Sequence, residues 1–277
     1  MTRQITCRLE DPQAYLCQIL QTTRKVIADA YQLHRITIRV MKPDGSRLST
    51  TIKIQGLNKK QRKEQYFGKI IGNSDILTFR SLQLLKNLYL QIHDQEPLFE
   101  TFDTPQEFAS TQYKLLNAMY KHGFSTACPY GCHRLQEAIW LLVEEFVSAP
   151  PLSELTSVTS AQMDQVFRYI HRLHKKKLFH GDIKPDNLLL GDTIYIMDVG
   201  NMRKDAPAQQ KRAYDLASLL CCFLSRQPVE EIIRVARRYY PRKDLLAATD
   251  YVELVQLRPD FHFDNEMKQT LLSELFR

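Results

Sequence analysis

The sequence predicts an α+β chain in two parts, strand-rich first and helical second. Three observations carry this. Apolar residues alternate with polar ones through 34–41 and again through 49–54, the period of a half-buried strand. From residue 160 onward the apolar residues recur at helical spacing. Between the two regimes, the apolar run 139–147 stops at Pro150-Pro151, so residues 1–150 and 151–277 are expected to form separate lobes. The chain's 277 residues, 44% hydrophobic and 25% charged, are ordinary for a globular protein that can bury a core without staples.

Leu16, Ile19, Leu20, Ile27 and Tyr31 fall at roughly helical spacing, so 11–33 opens the chain with a helix. Ile36, Ile38 and Val40 alternate with Arg35, Thr37 and Arg39 in the first strand. Lys42-Pro43-Asp44-Gly45-Ser46 is a turn by composition, and Thr50, Ile52 and Ile54 mark the second strand. A charged connector, 58–65, precedes a third strand at 66–71. Ile76, Leu77, Leu84, Leu85 and Leu88 indicate a helix over 74–94. Thr104 as N-cap, Pro105 in the first turn and Glu107 completing a capping box start another, which stops at Gly123. After a loop with Pro129, 139–147 reads as a buried strand. Ser160 caps a helix whose apolar face is Met163, Val166, Phe167, Ile170 and Leu173. Leu188–Leu190 and Thr193–Met197, joined by Gly191-Asp192, form a small hairpin, and helices follow at about 208–225, 229–239 and 265–276.

Basic residues outnumber acidic ones, 38 to 31. Such a surplus favours polyanions (nucleotide, phosphorylated sugar, nucleic acid, anionic membrane) or serves solubility alone. Arg234, Arg237 and Arg238 share one helical face, which is either solvated or meets an anion. No apolar leader follows Met1, and the longest apolar stretch, 138–147, is too short to span a bilayer and contains Glu144 and Glu145. The expectation is a cytoplasmic protein, at most peripheral to the inner face of a membrane. Six scattered cysteines argue against a disulfide framework. Cys128, Cys132 and His133 crowd together, but without a second ligand pair at zinc spacing they read as a loop leading into a strand.

The chemistry concentrates in His180-Gly181-Asp182-Ile183-Lys184-Pro185-Asp186-Asn187, a loop between helix and hairpin. Phosphoryl transfer needs a carboxylate near the attacking hydroxyl and cations on the phosphates. Asp182 can take the hydroxyl proton, Lys184 can reach the moving phosphate, and Asn187 can offer its carbonyl oxygen to Mg²⁺, a hard cation. Ile196-Met197-Asp198-Val199-Gly200 then delivers Asp198 to a strand end as a second Mg²⁺ ligand, with Gly200 allowing a sharp turn.

These motifs resemble the protein-kinase-like superfamily over roughly residues 34–240. The loop is similar to the kinase His-Arg-Asp-x-x-x-x-Asn pattern with Gly181 in place of Arg, and Asp198-Val199-Gly200 to Asp-Phe-Gly. Asp215 follows Asp198 by only seventeen positions, with no Ala-Pro-Glu platform for a peptide. That brevity, with His-Gly-Asp, most resembles the lipopolysaccharide kinases of the Kdo/WaaP type, with RIO-like atypical protein kinases second. The resemblance implies a two-lobed protein-kinase-like fold and transfer from ATP, with Mg²⁺, to the hydroxyl of a core sugar or glycolipid. A Ser/Thr protein acceptor is the alternative, and a pseudokinase that binds partners without turnover is a third. No nucleic-acid partner is expected.

By the same resemblance a third-strand lysine clamps the phosphates. Lys69 fits, with Lys53 on the second strand as rival. Gln112 lies on the inward face of the helix that should supply a glutamate, while Glu107 is the nearest acid, so the lysine's partner stays open. The turn at 43–46, with Gly45 alone, is poor in glycine for a phosphate loop. The strand 140–147 resembles the kinase hinge, where adenine would meet backbone groups from Glu145 to Val147. Asp215 would hold the catalytic loop in such a fold, or else is a solvated helix residue.

Overall fold

The structure, a computed structural model, describes residues 12–41 and 49–277. The turn expected at 42–46, and with it the glycine-poor phosphate loop, lies outside the described residues. The first half is a five-stranded antiparallel sheet in the order β1-β2-β3-β5-β4, made of β1 (His34–Val40), β2 (Thr50–Leu57), β3 (Lys63–Ile71), β4 (Pro129–Gln136) and β5 (Ile139–Glu145). Its two faces differ in sequence and in cover. Ile52, Ile54, Tyr66, Ile70, Leu141 and Val143 point to one face, against Ile19, Ile27 and Leu33 of and beside α1 (Pro12–Tyr31). The other face carries Lys69, Leu142 and Glu144 and looks toward the second half.

Two elements differ from expectation. Residues 129–136 form strand β4, a hairpin partner of β5, where a loop was expected; Pro129, Gly131 and two register shifts mask the alternation. In it, His133 Nε2 lies 2.7 Å from the Tyr31 hydroxyl. Strand β3 begins at Lys63 rather than 66, because the Asn58 side-chain oxygen accepts from the amides of Lys60 and Arg62 and turns the chain early.

Between β3 and β4 run α2 (Asn73–Ile92) and α3 (Pro105–Lys121). Thr104 caps α3 by accepting from the Glu107 amide, and Gly123 ends it at φ 73°. Glu107 takes the Asp103 amide, so the expected reciprocal bond to Thr104 is displaced by one residue. Helix α2 buries Ile76, Phe79, Gln83 and Leu90, while Leu77, Leu84, Leu85, Leu88 and Ile92 are exposed.

The second half is α4 (Ser160–Lys175), the hairpin β6 (Leu188–Leu190) and β7 (Ile194–Ile196), then α5 (Ala208–Cys221), α6 (Val229–Ala236), α7 (Arg242–Gln256) and α8 (Asn265–Phe276). The cap of α4 is Thr159, in a full box with Gln162, one residue before the expected Ser160. All five apolar residues expected on its face are buried, each worth roughly 1.5–3 kcal/mol. Helix α7 is an addition to the expected elements. It buries Leu245, Ala248, Tyr251, Val252 and Val255, and α5 packs along it. No helix among the described residues is long and apolar enough to cross a membrane.

Candidate functional site

The loop 180–187 is fastened from beneath by Asp215 of α5. Fully buried, Asp215 accepts from the amides of His180 (2.7 Å) and Gly181 (2.8 Å) and lies 3.2 Å from His174 Nε2. It is a structural aspartate, not a solvated one. Gly181 sits at φ 77°, the left-handed region that glycine enters without steric cost. His180 spans the loop and the turn after β7: its Nε2–H donates to the Met197 carbonyl and its Nδ1 accepts from the Asp182 amide. Accepting at Nδ1 requires a neutral ring, and burial holds its pKa below the ordinary value. Gly200 donates to the His180 carbonyl at 2.7 Å, and a Cβ there would fall 2.5 Å from the Gly181 backbone.

This close approach brings the expected residues together. Asn187 donates to the Asp182 carbonyl (2.8 Å) and lies 3.2 Å from its carboxylate and 3.4 Å from the Asp198 carbonyl. With the amide nitrogen so spent, its carbonyl oxygen is the end available to a cation. Asp198 adopts φ 59°, uncommon for a residue with a side chain, and reaches across to the sheet. There its Oδ1 lies 2.6 Å from Lys69 Nζ. Lys69 is therefore the strand lysine that faces the loop. Lys53 instead sits 3.7 Å over the Phe146 ring.

Besides Asp198, Lys69 forms an ion pair with Glu144, at 3.3 Å and outside hydrogen-bond geometry. Glu144 comes from β5 and not from a helix. Lys69 stands opposite Leu142 and Phe67 opposite Glu144, so Lys69 and Glu144 are diagonal neighbours on one face. Burial works against the Lys69 charge, but Asp198 and Glu144 outweigh it and raise its pKa. Burial pushes the Glu144 carboxyl up while Lys69 opposes. Gln112, the residue on the inward face of α3, donates to the Val199 carbonyl (2.7 Å) and so holds the turn after Asp198 rather than the lysine.

The Asp182 carboxylate has a partner that the motifs do not contain. Arg258, buried just past α7, donates to Asp182 Oδ1 at 2.7 Å, to Asp260 at 3.2 Å, to the Ile183 carbonyl at 3.3 Å and to the Tyr214 hydroxyl at 3.1 Å. Lys184 lies 3.9 Å from Asp182 and 3.7 Å from Asp260. Burial would raise the Asp182 pKa, but Arg258 and Lys184 overcome it and hold the carboxyl below its usual range. Glu145 binds back to Cys128 through its amide (2.9 Å) and carboxylate (3.2 Å), and Val147 follows half-buried on the segment leaving the sheet. On α6 and just beyond it the basic face is already engaged: Arg234 pairs with Glu231, Arg238 with Asp164, and Arg237 donates to the Glu274 carbonyl.

Asn187 and Asp198 would offer two hard oxygen ligands, a set that suits Mg²⁺, which usually keeps waters and phosphate oxygens in its remaining positions. The model of the RIO domain matches residues 59–230, more than half of the chain, from β3 through α5. The antiparallel sheet, the helical second half and the loop between them accord with that match. The chain belongs to the RIO-domain family, within the atypical branch of the protein-kinase-like superfamily.

Proposed function

We propose that this protein is an atypical protein kinase that moves the γ-phosphate of ATP to a Ser or Thr hydroxyl. The observation that carries the reading is the 2.6 Å contact of Lys69 with Asp198, which joins the sheet's lysine to the carboxylate in the turn after β7. Lys69, held by Glu144, would clamp the α- and β-phosphates. Asn187 and Asp198 would hold Mg²⁺, which when bound neutralises charge on the phosphates. Lys184 would steady the group in transfer, and Asp182 would accept the hydroxyl proton. The Glu145 amide is spent on Cys128, so adenine would meet the Val147 backbone and the Glu145 carbonyl. The two lobes would divide near residue 150. Family membership favours a protein acceptor over the lipopolysaccharide core sugar expected from the sequence. One observation still speaks for a glycan: the short stretch from Asp198 to Asp215, with no peptide platform.

Purified protein given γ-labelled ATP, a protein fraction and a lipopolysaccharide core fraction in parallel separates the readings. Label on protein, abolished by Asp182→Ala while nucleotide still binds, is expected. Label on the glycan alone would overturn the protein acceptor, and nucleotide binding without transfer to either would make the chain a pseudokinase.

A further inference from the structure

Around Asp182 there is more positive charge than the transfer itself uses. Lys184 and Arg258 contact two carboxylates, Asp182 and Asp260, and a third cation, Lys86, interacts electrostatically with all four. Arg258 is fully committed: its guanidinium serves Asp182, Asp260, the Ile183 carbonyl and Tyr214. Lys184 lies between the same two carboxylates. Lys86 differs. Among the described residues it makes no ion pair or hydrogen bond, and its ammonium rests 4.8 Å over the Phe99 ring.

Its placement is not that of a surface lysine. Lys86 shares the spacing of Phe79, Gln83 and Leu90, the inward face of α2, and is half-buried. Phe99 packs edge-on against Tyr214 at 4.9 Å, and Arg258 donates to both the Tyr214 hydroxyl and Asp182, so one continuous set of contacts links Lys86 to the proposed base. The position is also fixed from the other side. Asn87 accepts from the amides of Leu98 and Phe99 and donates to the Phe99 carbonyl. Residues 98–100 in turn bond to 201–203, the stretch just after Gly200. Burial and the Arg258 charge hold the Lys86 pKa down to about 8. A desolvated cation is costly until an anion pairs with it.

We infer that Lys86, at the Asp182 side of the cleft, is the binding group for an anion carried by the acceptor. The acceptor is then a Ser- or Thr-bearing peptide with a carboxylate or phosphate beside its hydroxyl. Arg258 is a positioning residue in this arrangement, since it acts through Asp182. The inference rests on the phosphotransferase reading for its acceptor, but not for its anion site. Since the arginines on and just beyond α6 are already engaged, acidity is selected at Lys86 rather than on that surface.

The test has two arms. In the first, inorganic phosphate is titrated by calorimetry into the nucleotide-free chain, wild type and variants. Lys86→Met should weaken binding by about tenfold or more, as befits one charge-assisted contact, and Lys86→Arg should retain most of it. In the second, paired Ser peptides flanked by Glu or by Gln are offered with ATP. Wild type should prefer the acidic peptide by about tenfold in kcat/KM, and Lys86→Met should lose the preference, with melting curves confirming that the variant folds. Identical phosphate isotherms in wild type and Lys86→Met, or an acidic preference that survives the substitution, overturns the inference. Lys86-dependent labelling of an anionic glycan and no peptide overturns the peptide assignment. Nucleotide binding is read separately with a fluorescent ATP analogue. If wild type neither binds it nor labels any peptide, the kinase reading fails, and the phosphate isotherms still decide Lys86.

Discussion

At the scale of single residues, two side chains make sharp statements. Lys69 touches two carboxylates where Lys53 touches a ring, so Lys69→Met should cut transfer by about 10²–10³, as for one preorganised electrostatic contact. Lys53→Met should cost far less. Glu144→Gln should fall between them, lowering kcat through a lysine that wanders. Steady-state rates for the three variants check this, and greater damage from Lys53→Met would mean that the wrong strand faces the phosphates. His180 makes a statement about pH. Its folded pKa lies below the unfolded value near 6.5, so the unfolded chain binds more protons between the two. The stability held by the neutral ring is complete above that unfolded value and is lost as pH falls below it. Melting temperature should therefore drop on acidification below about pH 6.5, and His180→Gln should flatten part of that slope. The remainder would belong to His133 and His171, which burial also holds down.

At the scale of elements, the loop and the turn after β7 meet backbone to backbone at Gly181 and Gly200. An added methyl at 200 meets main chain, which cannot swing away as a side chain can. Gly200→Ala should cost about 1–3 kcal/mol, in the range of overpacked sites, and should remove activity out of proportion to stability. Denaturant titration beside an activity assay checks it. The elements also show what a sequence can disclose. Residues 180–200 were legible because their polar groups sit at fixed spacings along one stretch of chain. Glu144 was visible only as one of two acids on a strand, since its meeting with Lys69 depends on the β3–β5 register. Strand β4 hid behind Pro129 and Gly131. Helix α7 opens on the charged run Arg242-Lys243-Asp244, which obscures the helical face that Leu245, Ala248, Val252 and Val255 carry.

Across the whole molecule, Arg258 lies 76 positions from Asp182, and no local pattern could pair them. The fold does so by packing α7 along α5, which brings the end of α7 beneath Tyr214 and the loop. Removing one partner of a buried ion pair costs roughly 3–5 kcal/mol, and the partial exposure of Asp182 reduces that. Arg258→Met should thus destabilise by about 2–3 kcal/mol, discounted from that range, and should also raise the Asp182 pKa. The second effect is the diagnostic one: the acidic limb of the pH–rate profile should move upward. An unmoved limb would assign Arg258 to stability alone.

The pairing of Lys69 with Glu144 has a consequence for control. An ion pair whose two ends sit on adjacent strands has its spacing set by the strand register. It cannot be opened by rotating or withdrawing a helix, because α3 contributes neither charge. On the proposed reading, the phosphate-clamping lysine keeps its Glu144 neighbour whenever the sheet is formed, and α3 reaches the site only through the Gln112 bond to the Val199 carbonyl. A throttle that moves a helix would therefore have to act on the Asp198 turn through Gln112, and not on the Lys69–Glu144 pair.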